Sequence, residues 1–186
     1  MEDKKSMWNE AGLAGLALGG VSVAYLGLTA LSGKAATDNV GLSLLMSGLN
    51  IILWIAKFCF CIFLMKFFLK KRSALHPEEG NGAIFRFGSA VALLSALVYS
   101  ACYLAYFEFL APDMFTEAID MLKDNPMMGA DAMDSIEQMM PKMPVYLFFI
   151  NFFYCWAFGT ILSAILSRNI PPVNPFAGDS DTLDEQ

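Results

Sequence analysis

The chain has 186 residues, 56% of them hydrophobic and only 16% charged, with a net charge of −6 and a mean hydropathy of +0.51. A soluble domain averages about 45–50% apolar and about 25% charged residues, so the composition excludes a disordered chain and points to a membrane protein. The acidic balance leaves no basic face to meet phosphates, which excludes nucleic acid as a partner.

A bilayer-crossing helix needs roughly 20 mostly apolar residues. The first such run is free of charge from Ala11 to Gly33. Lys4 and Lys5 before it imitate the basic start of a secretion signal, but the run is too long for a signal core, and Glu2, Asp3 and Glu10 spoil its flank. It reads as an uncleaved span over about residues 11–32. Gly15-Leu-Ala-Leu-Gly19 inside it is a GxxxG pattern, which marks close helix approach either within the chain or between chains. A short, nearly neutral loop comes next and predicts that the first two helices are antiparallel neighbours.

The second span covers about residues 41–65. Ser43, Ser47, Asn50, Trp54 and Lys57 fall at offsets of four, three, four and three, which makes one helical stripe. Lys57 interrupts the apolar run in what reads as the cytoplasmic half of this span, so the bland expectation is a lysine that snorkels to the interface. The loop near residues 70–86 is basic, and its lone His76 has no second histidine beside it. The third span, about residues 86–108, carries Ala92, Ala96 and Ser100 as packing positions. Tyr99, Tyr103, Tyr106 and Phe107 crowd its far end and read as an aromatic belt.

Residues 109–143 are acidic and rich in methionine. Asp113, Glu117, Asp120 and Asp124 share one helical face, Asn125-Pro126 and Gly129 break the helix, and Met133, Ile136, Met140 and Met143 line a second one. The pattern predicts an amphipathic helical hairpin on the outer surface. Methionine thioethers can hold Cu(I), but no repeated M-x-x-M array with His or Cys supports a metal, so adaptable apolar packing is the preferred reading. The fourth span, about residues 144–167, carries Asn151, Cys155, Gly159 and Ser163 as a second polar or small stripe. The tail, residues 171–186, holds Pro171-Pro172, Asn174-Pro175 and four acids, and is expected to be disordered.

The fold expected is therefore all-α: an integral membrane four-helix bundle, one membrane domain over residues 1–170, with an external hairpin between the third and fourth helices. Lys4, Lys5, Lys66, Lys70, Lys71, Arg72, Arg86 and Arg168 fall on one side of the bilayer, against Lys34, Lys123 and Lys142 on the other. By the positive-inside rule both termini are cytoplasmic. The stripes on the second and fourth helices are expected to meet, making Asn50, Lys57 and Asn151 a candidate polar interior, with Gly15, Gly19 and Gly159 as helix-packing positions. Cys59, Cys61, Cys102 and Cys155 all lie inside spans, so no external disulfide framework exists. No catalytic triad, HExxH, P-loop or GxGxxG appears, so no enzyme activity, cofactor or metal is expected.

Met7-Trp8-Asn9-Glu10-Ala11 before a Gly-rich span, Gly82-Ala-Ile-Phe85-Arg-Phe87-Gly88-Ser-Ala90 opening the third, Pro112 before the acidic segment, Pro144 and Asn151 in the fourth span and Asn174-Pro175 in the tail form a recognisable layout. Over roughly residues 7–176 it resembles the membrane family called domain of unknown function 4199, found in Bacteroidota. The resemblance implies a four-helix bacterial inner-membrane protein and no assigned activity. Three readings are open. The first is a non-enzymatic scaffold or accessory subunit, engaging the bilayer and a membrane-protein partner or a second copy through the external hairpin and the small-residue first helix. The second is a small transporter or channel subunit lined by Asn50, Lys57 and Asn151. The third, implied by the family's frequent neighbours in the genome, is a helper of polyprenyl-phosphate sugar metabolism.

Overall fold

A computed structural model of the chain describes residues 2–35, 40–112, 135–136 and 138–170. The described residues form helices and no strands. Helix α1 is Glu2–Ala35, α2 is Val40–Leu75, α3 is Asn81–Ala105 and α4 is Met143–Arg168. All four are long and apolar enough to cross a membrane, over Ser6–Leu31, Leu44–Leu75, Asn81–Leu110 and Met140–Arg168. In lipid a backbone must satisfy its own hydrogen bonds, which is why apolar runs of this length become helices. The chain is thus a multi-pass membrane protein.

Local chemistry sets the helix ends. His76-Pro77 stops α2, because a proline disfavours the helical conformation of the residue before it. Gly80 caps α3 from an extended conformation, and its carbonyl accepts the amides of Ala83 and Ile84. Tyr106–Leu110 continues α3 as one wider π-helical turn, closed by the Ala111 amide on the Tyr106 carbonyl at 3.0 Å. A 3-10 turn, Met140–Lys142, leads straight into α4, with Pro144 in the first turn, where its missing N–H costs nothing.

Two boundaries differ from those expected of the sequence. The second helix was expected to end near residue 65, but it runs on through Lys66, Lys70, Lys71 and Arg72 to Leu75. Charged residues ended the apolar run without ending the helix. The outer segment is also shorter, because α3 with its π turn reaches Leu110 and the turn leading into α4 begins at Met140. The remainder of the expected hairpin, residues 113–134 and 137, lies outside the described residues, as does the tail, residues 171–186.

Helix α3 occupies the middle of the arrangement, packed along α1 on one side and α4 on the other. Helix α2 lies mainly against α1 and touches α3 and α4 less extensively. A cluster of buried side chains gathers near one end: Ala11, Ala14 and Leu18 of α1, Met65 and Leu69 of α2, and Ile84, Phe87 and Val91 of α3. The outer faces stay apolar. Ile51, Ile52 and Phe63 on α2, and Ile150, Phe153 and Ile161 on α4, are exposed, as a lipid-facing surface requires.

Small residues bring the backbones together. A methyl added at Gly15 would fall 2.7 Å from Leu94 Cβ, one at Gly19 2.9 Å from Val98 Cβ, and one at Gly159 2.6 Å from Ala92 Cβ. Gly88, which no sequence pattern singled out as a packing position, is the tightest: a methyl there would lie 2.0 Å from Ser163 Oγ. The GxxxG pattern of α1 is therefore occupied within the chain, by α3. Gly88→Ala and Gly15→Ala should each lower stability in detergent by about 1–3 kcal/mol, the usual penalty of overpacking. Gly12→Ala and Gly20→Ala, where nothing lies within 4 Å of an added methyl, should hold or raise it, because alanine is the better helix former. Thermal unfolding followed by circular dichroism separates the two pairs; equal behaviour would contradict this packing.

Candidate functional site

Two cations are held inside the helical array, in different ways. Lys57 is the partly buried one. It stands at the centre of α2, 17 residues from Val40 and 18 from Leu75, or about 26 Å along the helix axis from either end at 1.5 Å per residue. Because α2 overruns a hydrocarbon core of about 30 Å, its ends do not mark the interfaces; the snorkelling expectation is that the Lys57 ammonium points toward the cytoplasmic end of α2. The Lys57 ammonium sits between two aromatic faces, 4.9 Å from the ring centroid of Tyr25 on α1 and 4.8 Å from that of Tyr99 on α3. Each such contact is worth about 0.5–2 kcal/mol, more where water is excluded. Tyr99 accordingly faces inward to Lys57 and is not part of a lipid-facing belt. Tyr103 and Phe107 continue the aromatic row along α3, with centroid separations of 5.8 Å and 4.7 Å.

Lys57 lines a cavity of about 140 Å³ to which all four helices contribute residues. Its polar lining comes from Ser22, Cys61, Ser95, Tyr99 and Cys155 as well as Lys57. Ser22 and Cys61 lie together in this lining. The remaining wall is apolar and aromatic, and Phe58 of α2 meets Phe158 of α4 at 5.0 Å between centroids. Among the described residues no carboxylate belongs to this lining.

The polar residues read from the sequence are placed unequally. Trp54 and Lys57 from the α2 stripe and Cys155 and Gly159 from the α4 stripe share the cavity. Asn50 and Asn151 are not among its lining residues. The Asn151 amide donates to the Leu147 carbonyl of its own helix at 2.9 Å, and the buried Asn50 Oδ1 has no hydrogen-bond partner among the described residues. Ser163 of the same α4 stripe turns to α3 and donates to the Phe85 carbonyl at 3.2 Å. The four cysteines are free thiols. Among the described residues no three His, Cys, Asp or Glu side chains gather as a metal site. Met114, Met121, Met127, Met128 and Met133, which a copper site would draw on, lie outside the described residues.

The second cation, Arg72, counts in the sequence only as one more basic residue near a span end. In the structure its side chain is 3% exposed. Its guanidinium donates to Glu10 of α1 at 2.9 Å and, with two nitrogens, to both carboxylate oxygens of Glu79 in the turn between α2 and α3. It also lies over the Phe87 ring of α3 at 5.7 Å. One side chain thus joins α1, α2, the turn and α3. The planar five-donor fork of arginine suits this; a lysine would not supply it. The pairing was not legible because Glu10 and Arg72 are 62 positions apart.

The family of proteins of unknown function DUF4199 matches residues 13–168. The chain belongs to that family. The match spans all four helices, and so includes the Lys57 cavity and Arg72. No curated protein and no solved structure matches the chain.

Hydrogen bonding from Arg72 holds the Glu79 carboxyl below the usual carboxylate range, against an opposing push from partial burial. A carboxylate depressed in the folded state contributes stability above its unfolded pKa and loses it as pH falls through the depressed value. Melting temperature should therefore drop on acidification through and below the ordinary carboxylate range, and Glu79→Gln should flatten that dependence. An unchanged pH profile in Glu79→Gln would show that the pair adds nothing to stability.

Proposed function

We propose that the protein is a small solute-handling membrane protein, a transporter or channel subunit, whose four helices line a ligand cavity centred on Lys57. The observation that carries this reading is the placement of Lys57 at mid-helix, between two tyrosine rings, on the wall of a cavity to which no described residue contributes a carboxylate. A cation within a membrane-spanning apolar run costs about 2.5–3.5 kcal/mol where it lies at the bilayer centre. A purely structural helix gains nothing from it that leucine would not supply. Serine and tyrosine hydroxyls around it give the cavity hydrogen-bonding capacity, and the aromatic wall gives it shape.

This reading is preferred to a non-enzymatic accessory subunit. That alternative relied on two surfaces: the GxxxG face of α1, which α3 covers, and the acidic segment, most of which lies outside the described residues. No catalytic role is assigned to any residue. The proposed setting is the bacterial inner membrane, with both termini cytoplasmic, so that Arg72 and the turn with Glu79 face the cytoplasm. The charge asymmetry of the sequence supports that orientation.

Two labelling experiments test the proposal. With native cysteines removed, a single cysteine at Met139 should react with an impermeant thiol reagent in intact spheroplasts. One at Glu78, whose side chain is 71% exposed, should react only after lysis; the reverse pattern would overturn the orientation. In the native protein in proteoliposomes, Cys61 and Cys155 should react with a small water-soluble thiol reagent, because they line the cavity. Cys59, which is exposed on the outer surface of α2 and faces lipid, should not. Unreactive Cys61 and Cys155 would mean a dry cavity and would remove the solute-handling reading.

A further inference from the structure

If the protein handles a solute, the chemistry of the cavity narrows which one, and the assignment of a ligand class rests on that solute-handling role. Two tyrosine rings attract the Lys57 cation but do not neutralise it. Among the described residues the lining contains no carboxylate, so the Lys57 ammonium faces a space walled mainly by apolar side chains with no acidic partner in that wall. In such surroundings an opposite charge within a few ångströms is worth far more than it is in water. The missing element is an anion.

The rest of the wall says what the anion is attached to. Hydroxyl groups lie beside Lys57, on Ser22, Ser95 and Tyr99, and each can donate to an oxyanion. Trp54, Phe58, Phe158 and Leu162 supply an apolar wall beside the remainder, and the three rings are also partly exposed on the outer surface. The volume, about 140 Å³, is close to that of the engineered cavity of about 150 Å³ that accepts benzene. An inorganic ion would leave the aromatic wall unused. A neutral ring would leave the charge unpaired.

The way in is also constrained. Lys57 lines a second, more open groove between α1 and α2, walled by Val21, Tyr25, Leu53 and Phe60. Val21, Leu53 and Phe60 make it apolar. The lysine thus stands where the inner cavity and a lateral opening meet, so an acid dissolved in the membrane can reach it as well as one from water.

We propose that the cavity binds a carboxylate monoanion with an apolar body about the size of one aromatic ring or a short alkyl chain. Its charged group pairs with Lys57, and its body lies against Trp54, Phe58 and Phe158. A free small acid and the head of a membrane-borne fatty acid share this chemistry.

The test measures the labelling rate of Cys61 and Cys155 on the cavity wall by peptide mass spectrometry, using the full-length protein in lipid nanodiscs. The probes are benzoate, its uncharged analogue benzamide, and oleate. At about ten times its Kd, a ligand that occupies the cavity slows labelling about tenfold. Protection by benzoate and not benzamide is the expected result and assigns a free acid. Protection by oleate alone overturns the one-ring size limit and reassigns the site to a membrane-borne acid whose tail leaves between α1 and α2. Lys57→Met should abolish the protection and Lys57→Arg should keep it. If Lys57→Met does not fold, the comparison of benzoate with benzamide on the native protein still decides. Equal protection by benzamide, or none by any probe while both cysteines remain reactive, overturns the carboxylate assignment and leaves the solute-handling reading standing. Cysteines that are unreactive without any probe overturn both.

Discussion

Lipid tails are as apolar as leucine, so no hydrophobic drive brings one membrane helix to another; close packing and hydrogen bonds must do so. In this protein the whole arrangement depends on α3 having two faces narrow enough for that. On one side Gly15 and Gly19 of α1 ride over Leu94, Ser95 and Val98 of α3. On the other, Gly88 receives Ser163 of α4 and Ala92 receives Gly159. At such separations the Ser163 hydroxyl can reach the Phe85 carbonyl across the helix pair, and Ser89 can meet Thr160 at 3.4 Å. Backbone approach comes first, and the polar contacts are its consequence.

The cavity lies in converse surroundings. Where the facing side chains are small, α3 and α4 close on each other. Around Lys57 the side chains are large: Trp54 and Phe58 on α2, Tyr99 on α3, Phe158 on α4. A void remains beside these rings, and α2 touches α3 and α4 less extensively than it touches α1. The other faces of α2 are made for lipid. The aromatic wall and the looseness of α2 go together.

The two cations mark the two regimes. Arg72 is matched by Glu10 and Glu79, and its fork of donors fastens three helices at the tightly packed end. Such a pair adds registration more surely than net stability, since removing both charges from water offsets much of their attraction. Lys57 has aromatic partners and, among the described residues, no acid in its cavity, so it is held in place without being neutralised. A matched charge organises the fold; an unmatched one, fixed by rings in a void, is a feature the fold alone does not need.

Much of this was written along the chain. Hydrophobic length determined four helices, because a backbone in lipid has no other way to satisfy itself. Glycine spacing marked Gly15, Gly19 and Gly159 as points of close approach, and helical periodicity placed Trp54 and Lys57 on one face and Cys155 and Gly159 on another. What periodicity could not supply was helix length and partnership. The length of α2 depended on charged residues, from Lys66 to Arg72, staying helical beyond the apolar run. Tyr25 and Tyr99 could not be assigned to Lys57, nor Glu10 to Arg72, because those pairings arise from how three helices are rotated and offset against one another. A pattern along one helix tells which residues share a face; only the packed structure decides which face meets which, and at what height.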